Sequence, residues 1–238
     1  TLINAIRLAE MEPKEPVDRQ GQVRWFKKPK KGNIYLISLD PSLGTGGDNA
    51  AIQVIEMPTL EQVAEFMHNK TPIAAQIKIM KEIGEYIVQC IQEPNNIYYS
   101  VENNTLGEAA LVTIQDIGEE NIPGYFLSEP KAHGNAKRFR KGFNTTHKSK
   151  FSACAKLKSL IESKRLKINS RNLISELKAF VAVGSSYQAR PGETDDLVMS
   201  LVLAVRMSMI LKRYDAGIDE LLKDDLDEIV EPMPTLMI

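Results

Sequence analysis

Short apolar runs and longer segments with helical periodicity alternate along this chain. Three short runs at 34–39, 50–57 and 62–67 follow one another closely, and only four residues separate the last two. That spacing predicts a hairpin within a three-stranded antiparallel meander. Further strands are expected at 97–101, near 125–127 and at 165–168.

Helical segments occupy most of the remaining chain. Thr71-Pro72 predicts a helix start, and the apolar residues that follow recur on one face as far as Ile91. Thr105-Leu-Gly-Glu108 is a capping-box pattern that predicts a second helix. Further helices are expected at about 147–164, from Ser170 to about 179, and after Thr194 as N-cap. Residues 181–192 contain Gly184, Tyr187, Pro191 and Gly192 and indicate a hairpin or an irregular loop.

The order of these elements predicts an α/β fold. A three-strand antiparallel meander, followed by parallel strands that alternate with helices, makes a mixed sheet with helices on both faces. Residues 33–212 are expected to form this domain. Residues 1–32 contain a Pro-rich break and a basic stretch at 27–31, and we expect a linker or peripheral segment there. Residues 213–238 are expected to form an acidic C-terminal tail.

Composition and charge narrow the class of protein. The apolar fraction of 43% and the charged fraction of 26% are typical of a soluble globular chain, and no apolar run is long enough to span a bilayer. The two cysteines, Cys90 and Cys154, are interpreted as reduced residues of an intracellular protein. Net charge is −1, yet residues 130–161 contain nine Lys or Arg and no Asp or Glu. The absence of an initial Met suggests a piece of a longer protein.

Four acidic residues in three settings carry the candidate chemistry. Asp40 ends the first predicted strand, Glu102 ends the fourth, and Asp195-Asp196 open the last helix. Carboxylates at strand ends and a helix start can converge at one rim of a sheet. Converging carboxylates repel each other, and divalent cations offset that repulsion. The pattern therefore predicts a site for hard metal ions.

The residues beside these acids allow more than one interpretation. The Gly-rich stretch after Asp40 can cradle a phosphate oxygen or simply form a flexible turn. Asp48 is either an outer acceptor near the metals or a turn residue. Asn103 and Lys150 are secondary candidates for the same site.

Three motifs resemble the nuclease domain of the large terminase subunit of tailed bacteriophages, closest to the T-even-like branch of this ribonuclease H-like superfamily. They are Ser38-Leu-Asp40-Pro-Ser, Tyr99-Ser-Val-Glu102-Asn-Asn and Thr194-Asp-Asp-Leu-Val-Met-Ser-Leu-Val202, and the resemblance covers roughly residues 30–212. It implies a ribonuclease H-like fold in which the strands that end at Asp40 and Glu102 are parallel neighbours.

The resemblance also implies a function and a site. The function is metal-dependent endonucleolytic cleavage of concatemeric double-stranded viral DNA during genome packaging. The catalytic residues would be Asp40, Glu102 and Asp196, which with Asp195 would bind two Mg²⁺ or Mn²⁺ ions. Asp40, on the central strand, is the candidate that bridges both ions, and whether Asp195 binds directly or through water stays open.

Partners follow from the same resemblance. They are double-stranded DNA, a packaging ATPase domain in the full-length chain, the portal and the small terminase subunit, in the cytoplasm of the host cell and without a membrane. No G-x-x-x-x-G-K-[ST] phosphate loop occurs, so this segment is not expected to hydrolyse ATP. The basic segment would contact DNA phosphates through Lys131, Lys137, Arg138, Arg140, Lys141 and Lys148.

Three other functions are compatible with parts of this pattern. A Holliday-junction-resolvase-like nuclease shares the fold and the carboxylates. A non-catalytic module that docks on DNA or the portal would be favoured if the carboxylates diverged. An actin-like or sugar-kinase ATPase also has an Asp-containing turn between its first strands, but its second Asp-Gly loop and adenosine clamp are missing here.

Overall fold

The computed structural model of the protein describes residues 1–129, 141–184 and 186–214. The helices are α1 (Ala5–Ala9), α2 (Ile73–Ile91), α3 (Thr105–Ile117), α4 (His147–Glu162), α5 (Arg171–Ala179) and α6 (Asp196–Tyr214). The strands are β1 (Asp18–Gln20), β2 (Val23–Trp25), β3 (Ile34–Asp40), β4 (Ala50–Met57), β5 (Glu61–His68), β6 (Ile97–Val101), β7 (Tyr125–Phe126), β8 (Phe180–Val183) and β9 (Ser186–Ala189).

A seven-stranded mixed sheet in the order β1-β2-β5-β4-β3-β6-β7 organises the described residues. Strand β3 pairs antiparallel with β4, with Asp40 opposite Ala51, and parallel with β6, with Leu39 opposite Val101. Strands β8 and β9 form a separate hairpin. The predicted meander, the mixed sheet and the hairpin region are therefore confirmed.

Helices cover both faces of the central strands, which explains why β3 and β4 are apolar on both sides. On one face Leu36 and Ile55 pack with residues of α4, α5 and α6, including Leu157 and Leu201. On the other face Ile37, Ile52 and Val54 pack with α2 and α3. Burial of each such side chain contributes about 1.5–3 kcal/mol relative to exposure, so packing of the two helical layers on the sheet is a major source of the stability of the fold.

The N-terminal segment differs from the expected linker. Leu2, Ile3 and Leu8 are buried in the main core, and the amide of Leu2 donates to the carbonyl of Phe180 at 3.0 Å. Strands β1 and β2 extend the sheet, and Trp25 is buried with its ring centroid 4.5 Å from that of Tyr86. Residues 1–26 therefore pack as part of the domain.

Several predicted boundaries need correction. Pro72 is the N-cap residue of α2 and contributes no side-chain cap. The predicted capping box at Thr105 is wrong, because Asn104 caps α3 through its side chain. The strand expected at 165–168 is reduced to a single bridge between Lys167 and Glu61. At α3 a stronger neighbouring cap determines the helix start, and at Lys167 a contact distant in sequence determines the local geometry.

Two further expectations concern the cysteines and membranes. Both Cys90 and Cys154 are free, and burial raises the pKa of the Cys154 thiol to about 11. Within residues 1–129, 141–184 and 186–214, no helix has the length and apolar character needed to cross a bilayer.

Candidate metal centre

The parallel pairing of β3 with β6 brings two of the predicted acids together. Leu39 lies opposite Val101, so Asp40 and Glu102 are the next residues of two adjacent strands. The amide of Glu102 donates to the carbonyl of Leu39 at 3.0 Å, which continues the ladder up to the acids. Both carboxylates therefore emerge at the same edge of the sheet.

Glu102 is held by the tight connection from β6 to α3. Its side chain is buried, and the following Asn103 donates through its amide to the carbonyl of Phe143 at 2.7 Å and through Nδ2 to the carbonyl of Lys141 at 2.8 Å. Asn104 Oδ1 accepts from the amides of the first turn of α3 at 3.0 and 2.9 Å. These bonds fix the backbone on which Glu102 stands.

Gly107 makes this connection sterically possible. A Cβ atom built at Gly107 would lie 1.9 Å from the carbonyl oxygen of Glu102, far inside van der Waals contact. Only glycine lets the first turn of α3 pack this closely against Glu102. The glycine therefore belongs to the machinery that positions the acid.

The start of α6 brings the other two acids to the same edge. Asp196 is the first residue of α6, and its Oδ2 accepts from the amide of Asn49 at 3.2 Å and from Asn49 Nδ2 at 2.8 Å. Asp195 precedes the helix, and its Oδ2 accepts from the amide of Ala189 in β9 at 3.1 Å. Asn49 and the β8–β9 hairpin therefore orient one aspartate each.

The predicted role of Thr194 as N-cap is wrong. Its Oγ1 donates to Glu176 Oε1 at 3.1 Å, and Glu176 Oε2 accepts from the amide of Val198 at 3.1 Å. Glu176, from α5, therefore satisfies the first turn of α6 in place of a local cap. Burial raises the pKa of Glu176 to about 7, although these hydrogen bonds and that from the Leu197 amide act in the opposite direction.

The electrostatics show how strongly the acids interact. Burial raises the pKa of Asp40 well above its usual value, and the charge and hydrogen bond of Glu102, then Asp196 and Asp195, raise it further. Burial also raises the pKa of Asp196, with additional repulsion from Asp195 and Asp48, whereas the hydrogen bonds from Asn49 lower it. None of the salt bridges among the described residues involves the four acids.

The donor chemistry of this cluster fits hard divalent cations, which prefer carboxylate and carbonyl oxygens. Asn103 Oδ1, on the residue after Glu102, is buried without a hydrogen-bond partner among the described residues. Among the residues that the structure describes, no group of three or more His, Cys, Asp or Glu side chains is arranged so that it could hold a metal ion as it stands.

The remaining predicted residues lie at different distances from this centre. Asp48 is exposed in the turn before β4 and acts on Asp196 through its charge. Lys150 Nζ lies 5.8 Å from the ring centroid of Phe180, at the hairpin side of α4. Lys148 is exposed, as is Lys141, whose Nζ is 2.5 Å from Glu119 Oε2. Lys131, Lys137, Arg138 and Arg140 lie outside the described residues, as do residues 215–238 of the predicted tail.

Sequence reasoning missed three residues of this centre: Asn49, Gly107 and Glu176. Gly107 carried a usable signal, because a glycine in the first turns of a helix costs stability unless close packing requires it. Asn49 and Glu176 carried none, because their partners Asp196 and Val198 are 147 and 22 residues away in sequence.

Comparison with known proteins identifies one family and one fold. The model of the terminase RNaseH-like domain family matches residues 37–208. The large terminase nuclease of thermophilic phage G20c with bound magnesium is similar at a TM-score of 0.61 and 19% identity, over 84% of this chain and 94% of that one. The human cytomegalovirus terminase nuclease domain is similar at a TM-score of 0.56 and 12% identity, over 86% and 94%.

The large terminase nuclease domain of Thermus phage P74-26 is also similar, at a TM-score of 0.56 and 19% identity, over 83% of this chain and 91% of that one. At these identities the structural likeness establishes the fold, and the predicted ribonuclease H-like architecture is confirmed.

Proposed function

We propose that this chain, which belongs to the terminase RNaseH-like domain family, is a divalent-metal-dependent endonuclease that cleaves concatemeric double-stranded viral DNA during genome packaging. The observation that carries the proposal is the convergence of Asp40, Glu102, Asp195 and Asp196 without a compensating Lys or Arg salt bridge among the described residues. Such a cluster is costly for the folded chain alone and is suited to cation binding.

The proposed ligands of two Mg²⁺ or Mn²⁺ ions are Asp40, Glu102 and Asp196, with Asp195 binding directly or through water. When bound, such ions activate a water and stabilise the leaving 3′ oxygen of a phosphodiester. Related nucleases support this cofactor class, since one was crystallised with magnesium and another was soaked with manganese.

The chain's own residues prepare this site in two ways. The raised pKa of Asp40 reflects a proton favoured by burial and by the hydrogen bond with Glu102. Cation binding must displace this proton, so affinity should rise with pH. Asn49 holds Asp196, and the amide of Ala189 holds Asp195, so both aspartates are oriented before a cation arrives.

The decisive experiment compares Asp40→Asn with Asp116→Asn, an identical change at an exposed acid in α3. With Mn²⁺ and supercoiled plasmid, we expect Asp40→Asn to lower the cleavage rate by roughly 100-fold or more, because it removes a metal-binding charge worth several kcal/mol in the transition state. Asp116→Asn should cleave at the wild-type rate. Cleavage by Asp40→Asn at the wild-type rate would contradict the proposal, and a strong preference for four-way junctions would favour the resolvase alternative.

The basic residues are proposed to contact the DNA backbone without reading sequence. Replacing Lys137, Arg138, Arg140 and Lys141 with Ala should weaken duplex binding and make the slope of log K against log salt shallower by about 0.9 for each lost phosphate contact. Fluorescence anisotropy over a salt series measures both quantities. An unchanged slope would show that this segment does not face DNA. Lys131, Lys148 and Lys150 are proposed to lie along the same path.

The cellular setting is proposed from the family alone. In a full-length chain the nuclease would act with a packaging ATPase domain, the portal and the small terminase subunit in the host cytoplasm. Co-purification of the full-length chain with a portal ring tests the first of these contacts. Failure to associate under conditions that support packaging would contradict it.

A further inference from the structure

Two fully buried serines, Ser38 and Ser200, form hydrogen bonds that join β3 to α6 beneath the candidate metal centre. Ser38 Oγ donates to the carbonyl of Ser200 at 2.8 Å, and Ser200 Oγ donates to the carbonyl of Ser38 at 2.9 Å. The two hydroxyl oxygens are 3.2 Å apart. Ser38 Oγ also lies 3.5 Å from the carbonyl oxygen of Gln53 in β4, and each hydroxyl has its shortest hydrogen bond to the carbonyl of the other serine. The pair therefore forms a reciprocal bridge between a strand and a helix.

The position of this bridge relates directly to the acids. Ser38 precedes Asp40 by two residues, so both side chains project from the same face of β3, about 7 Å apart along the strand. Ser200 follows Asp196 by four residues, so both lie on the same face of α6, about 6 Å apart along its axis. The serine bridge is therefore two residues from Asp40 along the strand and about one helical turn from Asp196 along α6.

The surrounding packing does not fix this relationship by itself. The neighbours on α6 and β3 are aliphatic, among them Leu36, Leu197 and Leu201. Apolar burial is not directional, and a shift of α6 by one residue would displace Asp196 by about 1.5 Å along the axis. A reciprocal pair of hydrogen bonds to backbone carbonyls permits only one register.

The stability of the fold alone does not require the pair. Replacing both partners of a buried hydrogen bond with apolar groups can be nearly neutral for folding. The two serines are nevertheless polar residues within the otherwise apolar runs 34–39 and 197–205. Their useful property is therefore geometric.

We propose that Ser38 and Ser200 are positioning residues that set the separation of Asp40 from Asp196 and thereby the divalent-cation affinity of the centre. This inference rests on the proposed function of the site. In this role the two serine side chains neither contact the cation nor act on DNA.

The test is Mn²⁺ binding measured by isothermal titration calorimetry without DNA, on the wild type, Ser38→Ala/Ser200→Ala and a matched control. The control is Ser208→Ala, which removes a buried hydroxyl of the same helix whose one hydrogen bond among the described residues is to the carbonyl of Val205. We expect the double variant to bind Mn²⁺ at least about tenfold more weakly, the range known for groups that orient metal ligands. Ser208→Ala should bind as the wild type does.

The outcomes separate this inference from the proposed function. If the wild type binds Mn²⁺, Asp40→Asn does not, and the folded double variant binds as tightly as the wild type, the positioning role is overturned while the metal site stands. If the wild type binds no Mn²⁺, the proposed site and the positioning role both fail. Should the double variant not fold, Ser200→Ala alone removes one of the two bonds, and unchanged affinity in that variant overturns the inference.

Discussion

The two ends of the central sheet each carry a cluster of acidic side chains, and the clusters differ in their partners. At the end where β3 stops, Asp40 and Glu102 face the aspartates of α6 without a salt bridge among the described residues. At the other end Lys27 Nζ lies 2.6 Å from Glu56 Oε1 and 2.9 Å from Glu61 Oε2. Lys14 and Lys167 also pair with Glu61.

The partners reverse the direction of the pKa shifts. Burial alone raises the pKa of Glu61, but hydrogen bonds from Lys27, Asn169 and Lys14 outweigh it and lower the pKa to about 2. At Asp40 burial and like charges act in the same direction, and the pKa rises well above its usual value. The anionic form of Glu61 is thus stabilised at one end of the sheet, whereas the anionic form of Asp40 is destabilised at the other end.

This difference separates a structural cluster from the proposed metal site. The paired cluster at Glu56 and Glu61 anchors the N-terminal segment to the sheet through Lys14 and Lys27. The crowded cluster at Asp40 costs stability in the folded chain, and a cation is the partner whose chemistry offsets that cost. Perturbed acids in such a setting are characteristic of active sites.

The largest expected effect on stability comes from removing the cation of the paired cluster. Lys27→Met keeps the length of the side chain but leaves Glu56 buried without its main partner, so we expect a loss of about 3 kcal/mol in the free energy of unfolding. Urea denaturation measures it. Lys31→Met is the matched control, because Lys31 is exposed and its Nζ lies 3.9 Å from Glu93 Oε1. Such surface ion pairs contribute less than about 1 kcal/mol to the free energy of unfolding.

Mn²⁺ affinity gives the second readout of this comparison. It should be unchanged in Lys27→Met, because the paired cluster is at the opposite end of the sheet. If Lys27→Met and Lys31→Met had the same free energy of unfolding, the structural role inferred for the paired cluster would be contradicted.

A smaller loss is expected where the backbone supports the crowded cluster. Gly107→Ala would place a Cβ 1.9 Å from the carbonyl oxygen of Glu102. The resulting shift should cost about 1–3 kcal/mol and weaken Mn²⁺ binding by moving Glu102. Gly84→Ala is the matched change in α2, where the nearest atom, Pro123 Cβ, is 3.4 Å away. It should gain up to about 1 kcal/mol from helix propensity.

Calorimetric titration with Mn²⁺ and urea denaturation distinguish these two glycine variants. If Gly107→Ala binds Mn²⁺ as tightly as Gly84→Ala does, the close approach of α3 is not what positions Glu102.

The two clusters also show how much the sequence could predict. The acids at Asp40, Glu102 and Asp195-Asp196 stand next to strongly patterned runs, so local pattern is enough to single them out. The family resemblance then implies that the strands ending at Asp40 and Glu102 are neighbours. The role of Lys27 was not accessible in this way. It lies in the basic stretch 27–31 of the expected linker, whereas the structure places it in an ion pair with Glu56, 29 residues away.

The missed features share a physical cause. Periodicity reports which side chains are buried, but it carries no information about which distant polar group satisfies them. The packing of residues 1–26, the capping of α6 by Glu176 and the hydrogen bond from Asn49 to Asp196 all depend on contacts distant in sequence. The fold class depends only on element order and the family resemblance, neither of which requires knowledge of distant contacts, and it is therefore the more predictable part.

The smallest expected effect concerns the pH dependence of folding stability, which should have opposite signs at Glu61 and at Asp40. The folded pKa of Glu61, about 2, lies below the ordinary value of 4.5, so its stabilising contribution is present above about pH 4.5 and lost as pH falls toward 2. The folded pKa of Asp40 lies above its ordinary value of 3.8, so its contribution is full below that value and lost as pH rises through the folded pKa.

At pH 8 with EDTA, we therefore expect Asp40→Asn to raise the melting temperature and Glu61→Gln to lower it. A change of about 2–4 °C corresponds to ~1 kcal/mol in a chain of this size. The gain in melting temperature of Asp40→Asn should shrink as the pH approaches 4, because the wild-type carboxyl is then protonated and is neutral, as the Asn side chain is. Thermal melts of both variants at pH 4, 6 and 8 measure this directly. A lower melting temperature in Asp40→Asn at pH 8 would mean that Asp40 stabilises the fold as Glu61 does, and the contrast between the two ends of the sheet would no longer distinguish function from structure.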